Sequence, residues 1–253
     1  MSLRFLFLSL IGALYMLCGC ESELDFDFPK GLESDNSLSL SVRTASMDTK
    51  VANIITGSYL PDGSLVGVYV RDTNGEYYDG INYSDYVFKA SGTGSAQTWR
   101  ADSTIKLSAT EGYCYAYYPR TANQSTSLTK NHTVDLLYSG PVSVNDKNKN
   151  VNLTLRHVFS NIRFALKRGT YGGIGKVTRV AVKSSGLCMM GQLNLLTGEL
   201  TGGFENTTCG TNVDFTLTNS VQYADKIAVP KGVSGTILLS VTIDGQEYSV
   251  EVP

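Results

Sequence analysis

The side chains best suited to chemistry are few: the 253-residue sequence holds five cysteines and two histidines. His132 and His157 cannot build a His-rich metal site, and neither stands at ligand spacing from a cysteine or carboxylate. No metal and no other cofactor is expected. No Gly-x-Ser-x-Gly elbow presents a serine nucleophile, and nothing favours a Ser/His/Asp triad. The run from Gly169 to Gly175 ends in Gly175-Lys176, as a phosphate-binding loop would. However, Thr170 stands where the first glycine belongs and Val177 where a Ser or Thr should follow the lysine. No catalytic residue is assigned, and an enzyme is not expected. The chemistry that remains is that of one thiol, Cys20.

Cys20 closes a recognisable N-terminal pattern. Met1-Ser2-Leu3-Arg4 supplies one positive charge, and Phe5 to Leu17 follow as an almost unbroken apolar run. That run is shorter than the ~20 residues a spanning helix needs. Its end, Leu17-Cys18-Gly19-Cys20, resembles a bacterial lipobox. Leu17 at −3 fills an apolar peptidase subsite, Cys18 stands at −2, Gly19 at −1 lets the enzyme reach the backbone, and Cys20 takes the diacylglycerol. Cys18 fits less well as acceptor, because Leu17 would then sit at −1. Residues 1–19 are expected to be a lipoprotein signal peptide, and Cys20 the lipidated first residue of the mature chain. Several acyl chains on one cysteine anchor firmly.

Beyond Cys20, Glu21, Glu23, Asp25 and Asp27 make residues 20–37 an acidic, extended tether. Acidic residues here also resemble the surface-export signal of Bacteroidota lipoproteins. The formal charge of −2, with no cluster of Lys or Arg, removes the electrostatic footprint of nucleic-acid binding. In an oxidising compartment Cys188 and Cys209 could form a disulfide; equally, Cys114, Cys188 and Cys209 could be three buried thiols.

From residue 38 the apolar positions alternate: Leu38, Leu40, Val42; Val66, Val68, Val70; Ile105, Leu107; Val151, Leu153, Leu155. The pattern continues through Ile162, Phe164, Leu166; Val180, Val182; Val213, Phe215, Leu217; Ile237, Leu239, Val241, Ile243; and Tyr248, Val250, Val252. Period two means half-buried strands. Turn clusters such as Asp79-Gly80 and Asp244-Gly245 separate them, and no long stretch keeps a helical period. The expected fold is all-β, an antiparallel β-sandwich, in two domains at residues 38–168 and 169–253 divided at the glycine-rich run.

Aromatic residues concentrate in Tyr113-Cys114-Tyr115-Ala116-Tyr117-Tyr118-Pro119, with Tyr77, Tyr78, Tyr83, Tyr86 and Trp99 nearby. They read as core packing first and as a sugar-stacking platform second. His157 follows the Val151-Leu153-Leu155 alternation and should face the core as a hydrogen-bonded structural residue. Asp102-Ser103-Thr104 resembles a Bacteroidota O-glycosylation site, which would put Ser103 on an exposed loop.

The lipobox, Gly67-Val68-Tyr69, Trp99, the aromatic segment 113–119, the segment Leu155-Arg156-His157-Val158-Phe159-Ser160-Asn161-Ile162-Arg163-Phe164 and Gly191-Gln192-Leu193-Asn194-Leu195-Leu196-Thr197-Gly198 occur in an order that resembles the fimbrillin family of Bacteroidota. The likeness runs through nearly the whole chain. It implies a lipoprotein precursor of two transthyretin-like β-sandwich domains that assembles, anchors or tips type V pili at the outer membrane. Its partners would be other pilus subunits, the membrane through lipid on Cys20, and host or bacterial surface ligands. By position, Leu38-Ser39-Leu40-Ser41-Val42 resembles a removable first strand and Arg43 the maturation cleavage site; Arg43 could equally end a permanent strand. Relatives usually continue beyond a Gly-Gln-Glu-Tyr-like strand, whereas this sequence ends at Pro253. Either the chain is cut short, or the second domain lacks its last strand and its groove takes a partner. A surface glycan-binding lipoprotein is the alternative.

Overall fold

A computed structural model describes residues 36–45, 55–122, 125–131, 133–184, 187–205, 208–230 and 236–252. Leu17, Cys18, Gly19 and Cys20 lie outside them. The described residues are all-β, with strands β1 (Ser39–Thr44), β2 (Leu65–Asp72), β3 (Tyr83–Ser91), β4 (Thr98–Ala101), β5 (Gly112–Tyr118), β6 (Ser127–Asn131), β7 (Leu137–Val144) and β8 (Asn150–His157). There follow β9 (Ser160–Leu166), β10 (Lys176–Lys183), β11 (Leu187–Asn194), β12 (Leu200–Glu205), β13 (Thr208–Thr216), β14 (Gln222–Pro230), β15 (Ile237–Ile243) and β16 (Gln246–Val252). The one helical element described is a single 3-10 turn at Gly94–Ala96.

A seven-stranded sheet runs β1-β8-β7-β5-β2-β3-β4. The expected alternation is visible in its burial: Leu40 and Val42 of β1, Val66, Val68 and Val70 of β2, and Val151, Leu153 and Leu155 of β8 all enter one apolar cluster. Ile105 and Leu107 join this core although they lie outside the strands. Leu38 N–H donates to the Ile105 carbonyl (3.0 Å) and Leu107 N–H to the Asn36 carbonyl (2.9 Å), which ties the two ends of the sheet together.

The opposite face of the same sheet is also buried. Tyr69, Tyr115 and Tyr117 pack with Leu128, Leu136, Phe159, Leu193 and Leu195, so β2 and β5 are covered on both sides. The cover comes from later in the chain: β6 pairs with β11, and β11 and β12 form a hairpin. At its turn Asn194 Oδ1 accepts from Leu196 N–H at 2.9 Å. This hairpin is why the segment 191–198 is rich in leucine.

A second pair of sheets, β13-β10-β15-β16 and β12-β11-β14-β9, forms a β-sandwich. Phe164, Val180 and Ala224 lie between them, with Ile162, Leu166, Val213, Phe215, Leu239 and Val241 packed around. The β15–β16 turn, Asp244-Gly245, has positive φ at both residues (49° and 81°), the geometry of the tight hairpin its sequence announces. β9 precedes the glycine run at 169–175 yet pairs along its whole length with β14, which follows it.

Lys226 on β14 is buried at 6% exposure, and no described acidic side chain pairs with it. Burial pushes its ammonium below the usual lysine range, and Cys209 nearby opposes that once ionised. The unfolded chain therefore holds this proton more tightly than the folded one. Stability should rise as pH climbs through the folded value and level off near the unfolded ~10.4. Lys226→Met is expected to raise stability at pH 7 by about 1 kcal/mol and to flatten the alkaline rise. Urea unfolding at pH 7 and 10 checks both, and a variant less stable than the parent at pH 7 contradicts them.

Candidate functional site

The element with the clearest opportunity for assembly is β1. It is an edge strand, paired in parallel with β8 from Ser39↔Asn150 to Thr44↔Leu155. Its sequence alternates strictly, so Leu40, Val42 and Thr44 are buried while Ser39, Ser41 and Arg43 are exposed. Leu38, Leu40 and Val42 supply apolar side chains to the first core, and the backbone supplies ladder bonds. Such a strand is held by main-chain hydrogen bonds for affinity and alternate pockets for register. Removing it would uncover the β8 edge and a row of pockets above Val151, Leu153 and Leu155.

Arg43 sits one residue before the end of β1, with its guanidinium 5.8 Å from the Tyr59 ring centroid. The peptide bond after it is not free. Thr44 N–H donates to the Ser58 carbonyl at 3.0 Å, its hydroxyl bonds to the Gly57 carbonyl, and Ala45 N–H donates to the Leu155 carbonyl at 2.8 Å. A protease needs an extended substrate, so cutting here requires the end of β1 to peel away first.

The remaining predicted positions are scattered. Ser103 is exposed in the bend after β4. Cys188 lies on β11, in the sheet opposite Cys209, which is buried on β13. Cys114 is a buried thiol whose pKa burial pushes up to about 12, which makes it an unreactive packing residue. Most of the tyrosines form no platform: Tyr78 and Tyr117 are inaccessible, Tyr83 and Tyr115 nearly so, while Tyr77 is half exposed. His157 faces the core, with Nδ1 2.7 Å from Asp135 Oδ1; Asp135 Oδ2 in turn accepts from Ile55 N–H at 2.9 Å.

One network explains the aromatic segment and was not read from the sequence. Asp85 is a buried carboxylate on β3 with φ of +54°. Tyr117 Oη is 2.7 Å from Asp85 Oδ1 and 2.9 Å from the Thr121 carbonyl, and Arg120 Nη2 is 3.0 Å from Asp85 Oδ2. Burial, then the Asp85 carboxylate, raises the Tyr117 hydroxyl far above the usual tyrosine range, so it remains a donor. The available signal was an acid inside an apolar strand, Tyr83-Ser84-Asp85-Tyr86-Val87. A second clamp joins β9 to β14, where Arg163 Nε and Asn161 Nδ2 donate to Asp225 Oδ1 at 2.9 and 3.0 Å.

The family comparison covers the chain after β1. A model of fimbrillin-like proteins aligns with residues 50–253. The chain belongs to the fimbrillin-like family. Solved structures share its fold. A candidate cell adhesion protein from Bacteroides ovatus superposes with a TM-score of 0.63 at 17% identity, covering 86% of each chain. A second, from Bacteroides uniformis, gives 0.61 at 16% identity, over 87% of this chain and 85% of the other. A fimbrial protein from Bacteroides vulgatus gives 0.53 at 10% identity, over 85% of this chain and 87% of the other. A search of curated proteins gave no match. The fold thus persists at low sequence identity.

Proposed function

We propose that this fimbrillin-like protein is a pilus component of the cell surface, a lipoprotein precursor held at the outer membrane through Cys20 and joined to other subunits by β-strand addition. It serves adhesion and has no catalytic role. The family match and the fimbrial and cell-adhesion neighbours support the pilus and adhesin part. The observation that carries strand addition is β1: an alternating, parallel-paired edge strand with Arg43 one residue before its end. In this reading the chain has two β-sandwich domains, and the pairing of β9 with β14 supports a division before Ser160. β16 offers a second edge, where Tyr248, Val250 and Val252 are exposed along one face.

Cys20 sets the role. A subunit that keeps it is tethered and anchors or terminates a pilus, whereas cleavage after Arg43 frees the body to polymerise. The test is unboiled, non-reducing electrophoresis of surface-sheared material, with and without an arginine-specific protease. Heat-labile multimers that increase with the protease are expected of a stalk subunit; strictly monomeric material in both lanes overturns the stalk role. Cys20→Ala is expected to abolish surface retention, and unchanged surface localisation contradicts the lipid anchor.

A further inference from the structure

The seven-stranded sheet contains a gap. β7 and β8 are neighbours, yet they pair only at Leu137↔His157 and Tyr138↔Arg156. The cause lies in β7, whose register against β5 shifts between Ser139 and Val142 and which carries Pro141, a residue with no N–H for a ladder. Asn152 and Thr154 therefore have no partner residue on β7. On the other side of β8 they match Ser41 and Arg43 of β1.

The β11–β12 hairpin closes over this gap and leaves a cavity of about 460 Å³. That is within the ~300–1,000 Å³ of small-molecule sites. Its floor is polar: Asn152, Thr154 and Arg156 lie at alternate positions of β8, all on its exposed face. Its walls are Leu193, Leu200 and the Tyr138 ring. Tyr138 is held in place by its hydroxyl, which donates to the Leu195 carbonyl at 2.6 Å. Glycines border the ring: a Cβ at Gly140 or Gly198 would come within 3.2 or 3.3 Å of it. No Asp or Glu is among the described lining residues, and Arg156 forms no ion pair among the described residues. Arg43 stands opposite Thr154 on β1, but its guanidinium lies over the Tyr59 ring, so Arg156 is the cation of the site.

An amide, a hydroxyl and a guanidinium in a row beside a fixed aromatic face suit a ring that carries hydroxyls, apolar C–H edges and an anionic group. We propose that this cavity binds a carboxylate-bearing sugar residue of the uronic acid type. Arg156 takes the carboxylate as a charge-assisted pair, Asn152 and Thr154 take ring hydroxyls, and Tyr138 stacks. The site is distinct from the buried tyrosines of β5.

The experiment is calorimetric titration of the full chain in detergent with a disaccharide ending in glucuronic acid, and with its glucose-ended counterpart. Saturable binding of the acidic sugar is expected, about tenfold or more tighter than the neutral one. Arg156→Gln should weaken it about tenfold, and Thr154→Trp should abolish it by filling the cavity. Both substitutions fall on exposed positions, so both variants should melt with the parent. No saturation by either sugar at millimolar concentration overturns the proposal. So does equal affinity for the two, or an Arg156→Gln variant that binds as the parent does. Binding of the peptide Leu38–Arg43 here in place of the sugar would make the gap a strand site and also overturns it.

Discussion

Gly67→Ala is expected to destabilise the protein by about 3 kcal/mol, lowering its melting temperature by roughly 6–12 °C. A Cβ at this position of β2 would stand 2.1 Å from Tyr117 Cε1 and 2.5 Å from Asp85 Oδ1. Neither neighbour can retreat cheaply. The Tyr117 ring is fully buried and its hydroxyl is fixed on Asp85 and the Thr121 carbonyl, while Arg120 holds the other carboxylate oxygen. One methyl group thus sets packing against a buried charge network, and in a low-dielectric site that network loses more than its geometry. Calorimetry of the variant decides it. A melting temperature within a degree of the parent would mean that the ring and the carboxylate relax freely and the clamp is unimportant.

Leu40→Asp with Val42→Asp is expected to release β1 altogether. Each substitution removes a buried aliphatic side chain, worth ~2 kcal/mol or more, and puts a carboxylate where no partner waits. Because β1 lies at the edge, with β8 as its one ladder partner and only single bonds at its ends to Ile105, Gly57 and Ser58, the loss should be local: the strand leaves and the rest of the sheet stays. Hydrogen exchange should then accelerate at the β8 amides, and the variant should self-associate through the bared edge. A synthetic peptide, Leu38–Arg43, added in excess should restore protection and a monodisperse species. Parental protection at β8 without the peptide would show β1 to be dispensable packing. An uncovered edge that ignores the peptide would argue against strand addition as the mode of assembly.

Which parts of this could be read from residues alone follows from what is local. Leu40, Val42, Val151, Leu153 and Leu155 alternate because a strand turns every second side chain to one face, and all reached the core. Asp244-Gly245 announced a hairpin because both residues tolerate positive φ. Ile105 and Leu107 alternate and are buried as expected, but they extend the sheet only by an isolated bridge at Lys106. Tyr69 and Tyr117 carried an ambiguous pattern: alternation assigns them the outer face of their strands, and their burial depends on a hairpin far along the chain.

The segment 155–164 shows the same division at closer range. Leu155 enters the first core, His157 meets Asp135, Phe159 enters the tyrosine cluster and Phe164 the later sandwich. Its apolar spacing was plain, but that one stretch serves three cores is a fact of the path it takes. Residue order alone gives the all-β class, the strands whose apolar residues alternate, such as β1, β2, β8 and β15, the tight turns and the likeness to fimbrillins, since each rests on neighbours two to four residues apart or on a retained order of motifs; strands without that alternation, such as β4, β6 and β7, it leaves unmarked. That Asp85 is clamped by Tyr117, that Arg43 lies inside a paired strand, and that β7 and β8 part to leave a cavity beside Arg156 are products of the three-dimensional packing. Those outcomes depend on residues tens of positions apart meeting in one register, and no local period records which strand will be a neighbour.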